Sequence, residues 1–166
     1  MQSNNRNRIV CEDANRITFH CTRWFHEENR GKLAQLERGN AYPLIFPLIQ
    51  NDYNRNRAED VGLLVGQCFG ISRKHEEMGN FGSSMRRLLL KFGTTGGGNG
   101  VKTRANRIIM SDGLESLARM LPGMVQWLKQ NSVAINFRRL YMDLYFWNSK
   151  TQRRWASDFY GGRREN

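Results

Sequence analysis

The chain has 166 residues, 39% of them hydrophobic and 25% charged, with a net charge of +11. That length supports one domain with a real core, or two small ones packed together, and no run of about 18 apolar residues offers a membrane span. The start, MQSNNRNRIVCED, lacks the apolar stretch of a secretory signal, and three cysteines without a C-x-x-C suit reduced, cytoplasmic thiols that pack rather than bridge.

Residues 1–16 are expected to form a flexible N-terminus. In ITFHCTRWFHEEN, Ile17, His20, Cys21, Trp24 and Phe25 recur at i, i+3, i+4, i+7 and i+8, one face of a helix. GKLAQLERG predicts a short helix with Leu33 and Leu36 inward and Gly39 as its stop. AYPLIFPLIQ is apolar enough to be buried, and Pro43 and Pro47 make it short or kinked. AEDVGLLVGQCFG puts Val61, Leu64, Val65, Cys68 and Phe69 on one face, with acids expected in its first turn. GSSMRRLLLKFG does the same with Met85, Leu88, Leu89 and Phe92, leaving Arg86, Arg87 and Lys91 off the stripe.

GTTGGGNGVKTRANR then breaks the pattern, with five glycines in eight residues followed by Lys102, Arg104 and Arg107. A P-loop requires the lysine directly after the glycine; here Val101 separates Gly100 from Lys102. A flexible connector is the better reading. TRANRIIM starts a new helix. SDGLESLARMLPGMVQWLKQN follows with Ser111 or Asp112 as N-cap, a stripe of Leu114, Leu117, Leu121, Val125 and Leu128, and a break or kink at Pro122. NFRRLYMDLYFW and KTQRRWASDFY close the chain with Phe137, Leu140, Leu144, Trp147, Trp155 and Phe159 at helical spacing. No segment shows convincing strand alternation. The expectation is an all-α fold of eight or nine helices in two small bundles, residues 17–92 and 104–160, joined by a Gly-rich linker at 93–103.

The charge is lopsided. Residues 1–77 hold 11 Lys/Arg against 10 Asp/Glu, whereas residues 78–166 hold 15 against 5. A one-signed half reads as a polyanion-binding surface. Most of the cations are Arg, which suits bidentate phosphate contact, and no basic amphipathic anchor helix points to lipid. Catalytic chemistry finds little footing. His20, Cys21 and His26 lack the i, i+4 ligand pairing of a helical metal site, HEEN and HEEM are not H-E-x-x-H, and no G-x-S-x-G elbow exists. The few acids of the basic half do not assemble a two-metal site; Asp143 and Asp158 are expected to cap helices or pair with Arg138, Arg139 or Arg154. No enzyme activity, metal or cofactor is expected. The aromatics of the last 30 residues are mostly core, with Tyr141, Tyr145 and Tyr160 as weaker base-stacking candidates.

Taken together, TRWFHEENRGKLAQLERG, AYPLIFPLIQ, FGSSMRRLL and the stretch from NRIIMSDGLES to WASDFY resemble, in order and spacing, the CasB family, the small subunit of the type I-E CRISPR complex Cascade. The resemblance spans roughly residues 17–160, with two departures: a longer glycine-rich insertion, and Glu37 beside Arg38 where an arginine pair is common. It implies a non-enzymatic all-α homodimer that sits with the other Cascade subunits and their crRNA and helps hold the target and displaced DNA strands. By position, the resemblance implies DNA contacts at Arg107, Arg119 and Lys150, with Arg153 and Arg154 as neighbours of the last. It also implies them at Arg38, at Arg57 or Arg55, and at Arg86 or Arg87. Lys102 and Arg104 join them as the basic end of the glycine stretch. A free-standing all-α DNA-binding regulator is the alternative; it requires a recognition helix for the major groove.

Overall fold

The computed structural model describes residues 2–93 and 97–161. Among them the architecture is all-α, as the periodicity predicts: α1 (Gln2–His26), α2 (Arg30–Glu37), α3 (Tyr42–Ile45), α4 (Arg55–Ser72), α5 (Phe81–Phe92), α6 (Gly97–Ile109), α7 (Leu114–Gln130), α8 (Phe137–Tyr145) and α9 (Ser149–Tyr160). A 3-10 turn, Phe46–Leu48, follows α3 where Pro47 interrupts the apolar run. The one sheet-like feature among the described residues is an isolated bridge between His75 and Ile135, which ties the α4–α5 connection to the α7–α8 connection.

Asparagine sets many of the helix starts. Asn29, Asn54, Asn80, Asn136 and Asn148 cap α2, α4, α5, α8 and α9, each side chain accepting from a backbone N–H of the first turn. At Asn80 the bond is reciprocated by Ser83, a capping box. Because Asn54 starts α4 at Arg55, Glu59 and Asp60 fall beyond the first turn, not within it as the sequence suggested. α7 is likewise capped by Gly113 rather than Ser111 or Asp112. It runs through Pro122 as a single helix. The lost donor would have paired with the carbonyl of Ala118, an exposed residue, so water can take its place.

α4 is the axis of the fold, packing against α1, α2, α3, α7 and α8. Its glycines at 62, 66 and 70 lie on one buried face. A Cβ on Gly62 would stand 2.8 Å from Ile45 Cγ2, and one on Gly70 would overlap the backbone nitrogen of Glu37. Small residues thus let α2 and α3 approach the α4 backbone directly.

Three expectations about organisation need correction. Residues 2–16 are not a loose tail but the first turns of α1, with Val10 and Ala14 buried. Asp13 is buried too, accepting the Gln50 N–H at 2.9 Å and paired with Arg16. The glycine stretch is not a connector throughout, because residues 97–103 are helical; only 94–96 lie outside the described residues. Finally, α5 makes its main contacts with the helices after it rather than those before it. It lies against α6, α7 and α9, while α1 packs on α8 and α4 packs on α7 and α8. Helices from both halves of the chain share one continuous core, so packing does not divide at the glycines.

Candidate nucleic-acid interface

α6 contains Lys102, Arg104 and Arg107 and no acid, and all three cations are exposed. The helix is placed by its apolar face: Val101, Ala105, Ile108 and Ile109 are buried. That spacing leaves the cations on the outer arc. The preceding glycines let the first turn sit close to its neighbours, since a Cβ on Gly97 would stand 2.5 Å from the Phe92 ring and one on Gly100 would stand 3.3 Å from Trp127. Trp127 in turn holds Arg104, whose guanidinium carbon lies 4.2 Å from the indole centroid, a cation–π contact that limits the rotamers the arginine samples.

α7 supplies the facing wall. Arg104 and Arg107 meet Arg119 across a pocket between the two helices. Arg119 also pairs with Glu115 at 2.9 Å, but both side chains are largely exposed, so water screens the pair and it contributes little. α9 runs along the other flank of α6. Gln152 Nε2 donates to the Ser111 carbonyl at 2.7 Å, Trp147 Nε1 donates to the same oxygen at 3.0 Å, and Tyr160 bonds Asn106. The exposed Lys150 and Arg153 ride on this helix. The structure therefore brings Lys102, Arg104, Arg107, Arg119, Lys150 and Arg153 onto α6 and its two neighbours.

Other sequence-selected cations are used inside the fold. Arg57 donates to the carbonyls of Tyr145 (2.8 Å) and Leu144 (2.9 Å), satisfying the end of α8. Arg87 pairs with Glu76 and reaches Ser84 Oγ and the Ala134 carbonyl at 3.0 and 3.1 Å; the bond to Glu76 holds its guanidinium more firmly protonated than usual. Arg154 donates to Asp143 at 2.5 Å. All three spend donors within the fold instead of standing as the free surface grips the sequence suggested, with Arg87 and Arg154 still partly exposed. Arg86 is half-buried, and its guanidinium occupies the space where a Cβ of Gly161 would stand. Arg38 is exposed at the end of α2. Arg55, the alternative to Arg57, pairs with Glu59 at 2.7 Å.

Of the two acids singled out in the sequence, Asp143 pairs with the expected arginines, whereas Asp158 bonds an asparagine. Asp143 is buried, paired with Arg139 (2.9 Å) and Arg154, and its second oxygen accepts from Trp155 Nε1 at 2.6 Å. Burial pushes its carboxyl above the ordinary range, opposed by that indole bond and the two arginines. Asp158 accepts from Asn80 at 2.5 Å. Of the tyrosines considered for stacking, Tyr141 and Tyr145 are buried and correct to core; Tyr160 is exposed. Burial also raises the Tyr141 hydroxyl and pushes the Cys21 and Cys68 thiols up to about 12. No group of three or more metal-ligating side chains gathers among the described residues, and no helix there is long and apolar enough to cross a membrane.

Sequence reading missed Trp127 as the anchor of Arg104. The signal lay in the neighbouring pattern, since Trp127 falls one position before Leu128 and so beside, not on, the buried stripe of α7.

A family model described as CRISPR-associated protein Cse2 matches residues 30–160. The solved structure of CasB from Thermobifida fusca superposes with a TM-score of 0.71 at 18% identity, covering 91% of this chain and 97% of that one. At that identity the superposition speaks for the fold. Comparison with curated proteins finds no match.

Proposed function

Since the chain belongs to the CRISPR-associated Cse2 family, which supports a subunit of a type I-E Cascade complex, we propose that it is the complex's non-catalytic small subunit. In this reading it works in the cytoplasm beside the crRNA-bearing subunits and a second copy of itself. It holds the target and displaced DNA strands by their backbones, without sequence preference. The observation that carries the proposal is the acid-free exposed arc of α6, faced by Arg119 and flanked by Lys150 and Arg153. Guanidinium groups on such a surface grip phosphate bidentately. In guide-paired complexes a base-pair exchange of nearly balanced energy is tipped by backbone contacts of this kind.

The test is a complex reconstituted with the Arg107→Ala/Arg119→Ala variant. Each phosphate that the protein no longer neutralises lowers the magnitude of the slope of log affinity against log salt by about 1. Target DNA retention is expected to weaken, with a slope shallower by about 2, while the variant's circular dichroism melt stays unchanged. Retention and slope equal to the wild type's would overturn the assignment of this face. Failure of the tagged chain to co-purify with the other Cascade subunits and a crRNA from its host would overturn the subunit reading itself.

A further inference from the structure

The basic arc explains phosphate contact, but it does not explain the pocket beneath it. Phosphates need a charged surface, not a cavity. Between α6 and α7 lies a cavity of about 230 Å³. Its rim is Arg104, Arg107 and Arg119; its floor is Ile108, Met120 and Met124, with Ile108 and Met124 almost fully buried. Gly123 leaves one wall open, since a Cβ placed there meets nothing within 4 Å. The volume falls below the roughly 300–1,000 Å³ of pockets that enclose a drug-sized ligand, and suits a single ring system.

A larger cavity, of about 640 Å³, lies by α8 and α9 and also carries arginines. There, however, Arg139 and Arg154 share Asp143, and Glu77 and Asp158 line the same space. The smaller pocket has an apolar floor under a cationic rim with no acid in its lining.

We propose that the α6–α7 pocket takes one unpaired nucleobase from a single strand of DNA whose phosphates lie against Arg104, Arg107 and Arg119. This rests on the strand-holding reading above and adds the form of the strand: single, with a base inserted. The chemistry matches each part of the pocket. Thioethers of Met120 and Met124 adapt to an aromatic face and contact it favourably. The guanidiniums both stack on bases and pair with the flanking phosphates. With the guanidiniums taken up by phosphates and ring faces, the thioethers and aliphatic floor read no base edge, so the site accepts any base. A duplex would have to unpair and unstack a base to fill it, whereas a single strand presents one already free.

The test uses the full chain and three labelled probes of equal length in fluorescence anisotropy: an oligothymidylate, a fully abasic strand, and a duplex. The variant is Gly123→Leu, which fills the open wall and keeps every arginine. Leucine is a better helix former than glycine, so a weaker complex cannot be put down to a broken α7, and a melt verifies this. The wild type is expected to bind the oligothymidylate about tenfold tighter than the abasic strand, within the range of single-base stacking. Gly123→Leu is expected to abolish that advantage while leaving abasic-strand and duplex affinity and the salt slope unchanged. Equal wild-type affinity for the two single strands overturns the base pocket, as does a variant that weakens both alike or neither. Absence of any salt-dependent binding overturns instead the strand-holding reading on which the pocket rests.

Discussion

Trp155 packs α9 against α5, and its removal allows a graded prediction. Its ring is completely buried against Phe81 (centroids 5.2 Å apart) and Trp147 (4.9 Å), and the α5 backbone approaches it so closely that a Cβ on Gly82 would overlap the Trp155 carbonyl oxygen. Core truncations of this size cost about 3–5 kcal/mol. Trp155→Ala also removes a donor from the buried Asp143, a further loss of about 1–3 kcal/mol for an orphaned buried acceptor. The sum places Trp155→Ala near or above 5 kcal/mol, a fall in Tm of about 10–20 °C for a chain of this size. Trp155→Phe keeps most of the ring and loses the N–H, so it should cost about 1–3 kcal/mol.

The two causes separate with pH. The indole bond lowers the Asp143 carboxyl while burial raises it, so Trp155→Phe pushes that carboxyl higher still. A raised folded-state carboxyl contributes stability that is present at low pH and lost as pH rises through its folded value. The cost of Trp155→Phe should therefore be full near neutral pH and shrink as acid neutralises Asp143. Urea unfolding across pH measures this. A Trp155→Ala cost under about 2 kcal/mol, below the range for a large core truncation, or a Trp155→Phe cost that does not change on acidification, would refute the account.

Other outcomes follow from single contacts. Arg57→Ala should destabilise by about 1–3 kcal/mol, because two carbonyls at the end of α8 lose their donor; DNA affinity should stay at the wild-type value in the anisotropy assay. Gly70→Ala should cost about 1–3 kcal/mol through overpacking, since the new methyl meets the Glu37 backbone rather than a side chain that can move; chemical denaturation checks it. Brief iodoacetamide treatment at mildly alkaline pH should label native chain at Cys11 alone, with Cys21 and Cys68 protected by burial and by thiols pushed up to about 12. Peptide mass spectrometry reads the pattern, and denaturant should expose all three.

The helices were legible because each buries one face, and a period of 3.6 needs no knowledge of the partner. Leu33 and Leu36, Val61 through Phe69, and Leu117 through Leu128 all turned inward as their spacing predicts. What spacing cannot carry is which helix covers which. The glycine stretch looked like a boundary because glycine is conformationally free; in the fold Gly98 is buried, and Gly97 and Gly100 permit close approach to Phe92 and Trp127. α1 was read too short for a related reason. Its first half is rich in Asn and Arg, yet Val10, Ala14 and Ile17 continue one stripe, and α8 packs along it.

The same limit governs the candidate interface. The excess of cations after residue 78 located the right half of the chain, but an arginine reads the same whether it faces solvent or a helix terminus. Arg57 and Arg107 both lie near an end of a helix. Arg57 is held against the last carbonyls of α8, 87 and 88 residues away in sequence, while Arg107 has no acid on its own helix and faces Arg119 across a pocket. Charge repulsion among Arg104, Arg107 and Arg119 is a cost the free chain bears, with Glu115 pairing Arg119 in partial answer. A polyanion relieves that repulsion on binding. The cluster that no internal acid satisfies is thus the one whose energetics point outward, and that distinction exists only once the three-dimensional partners are known.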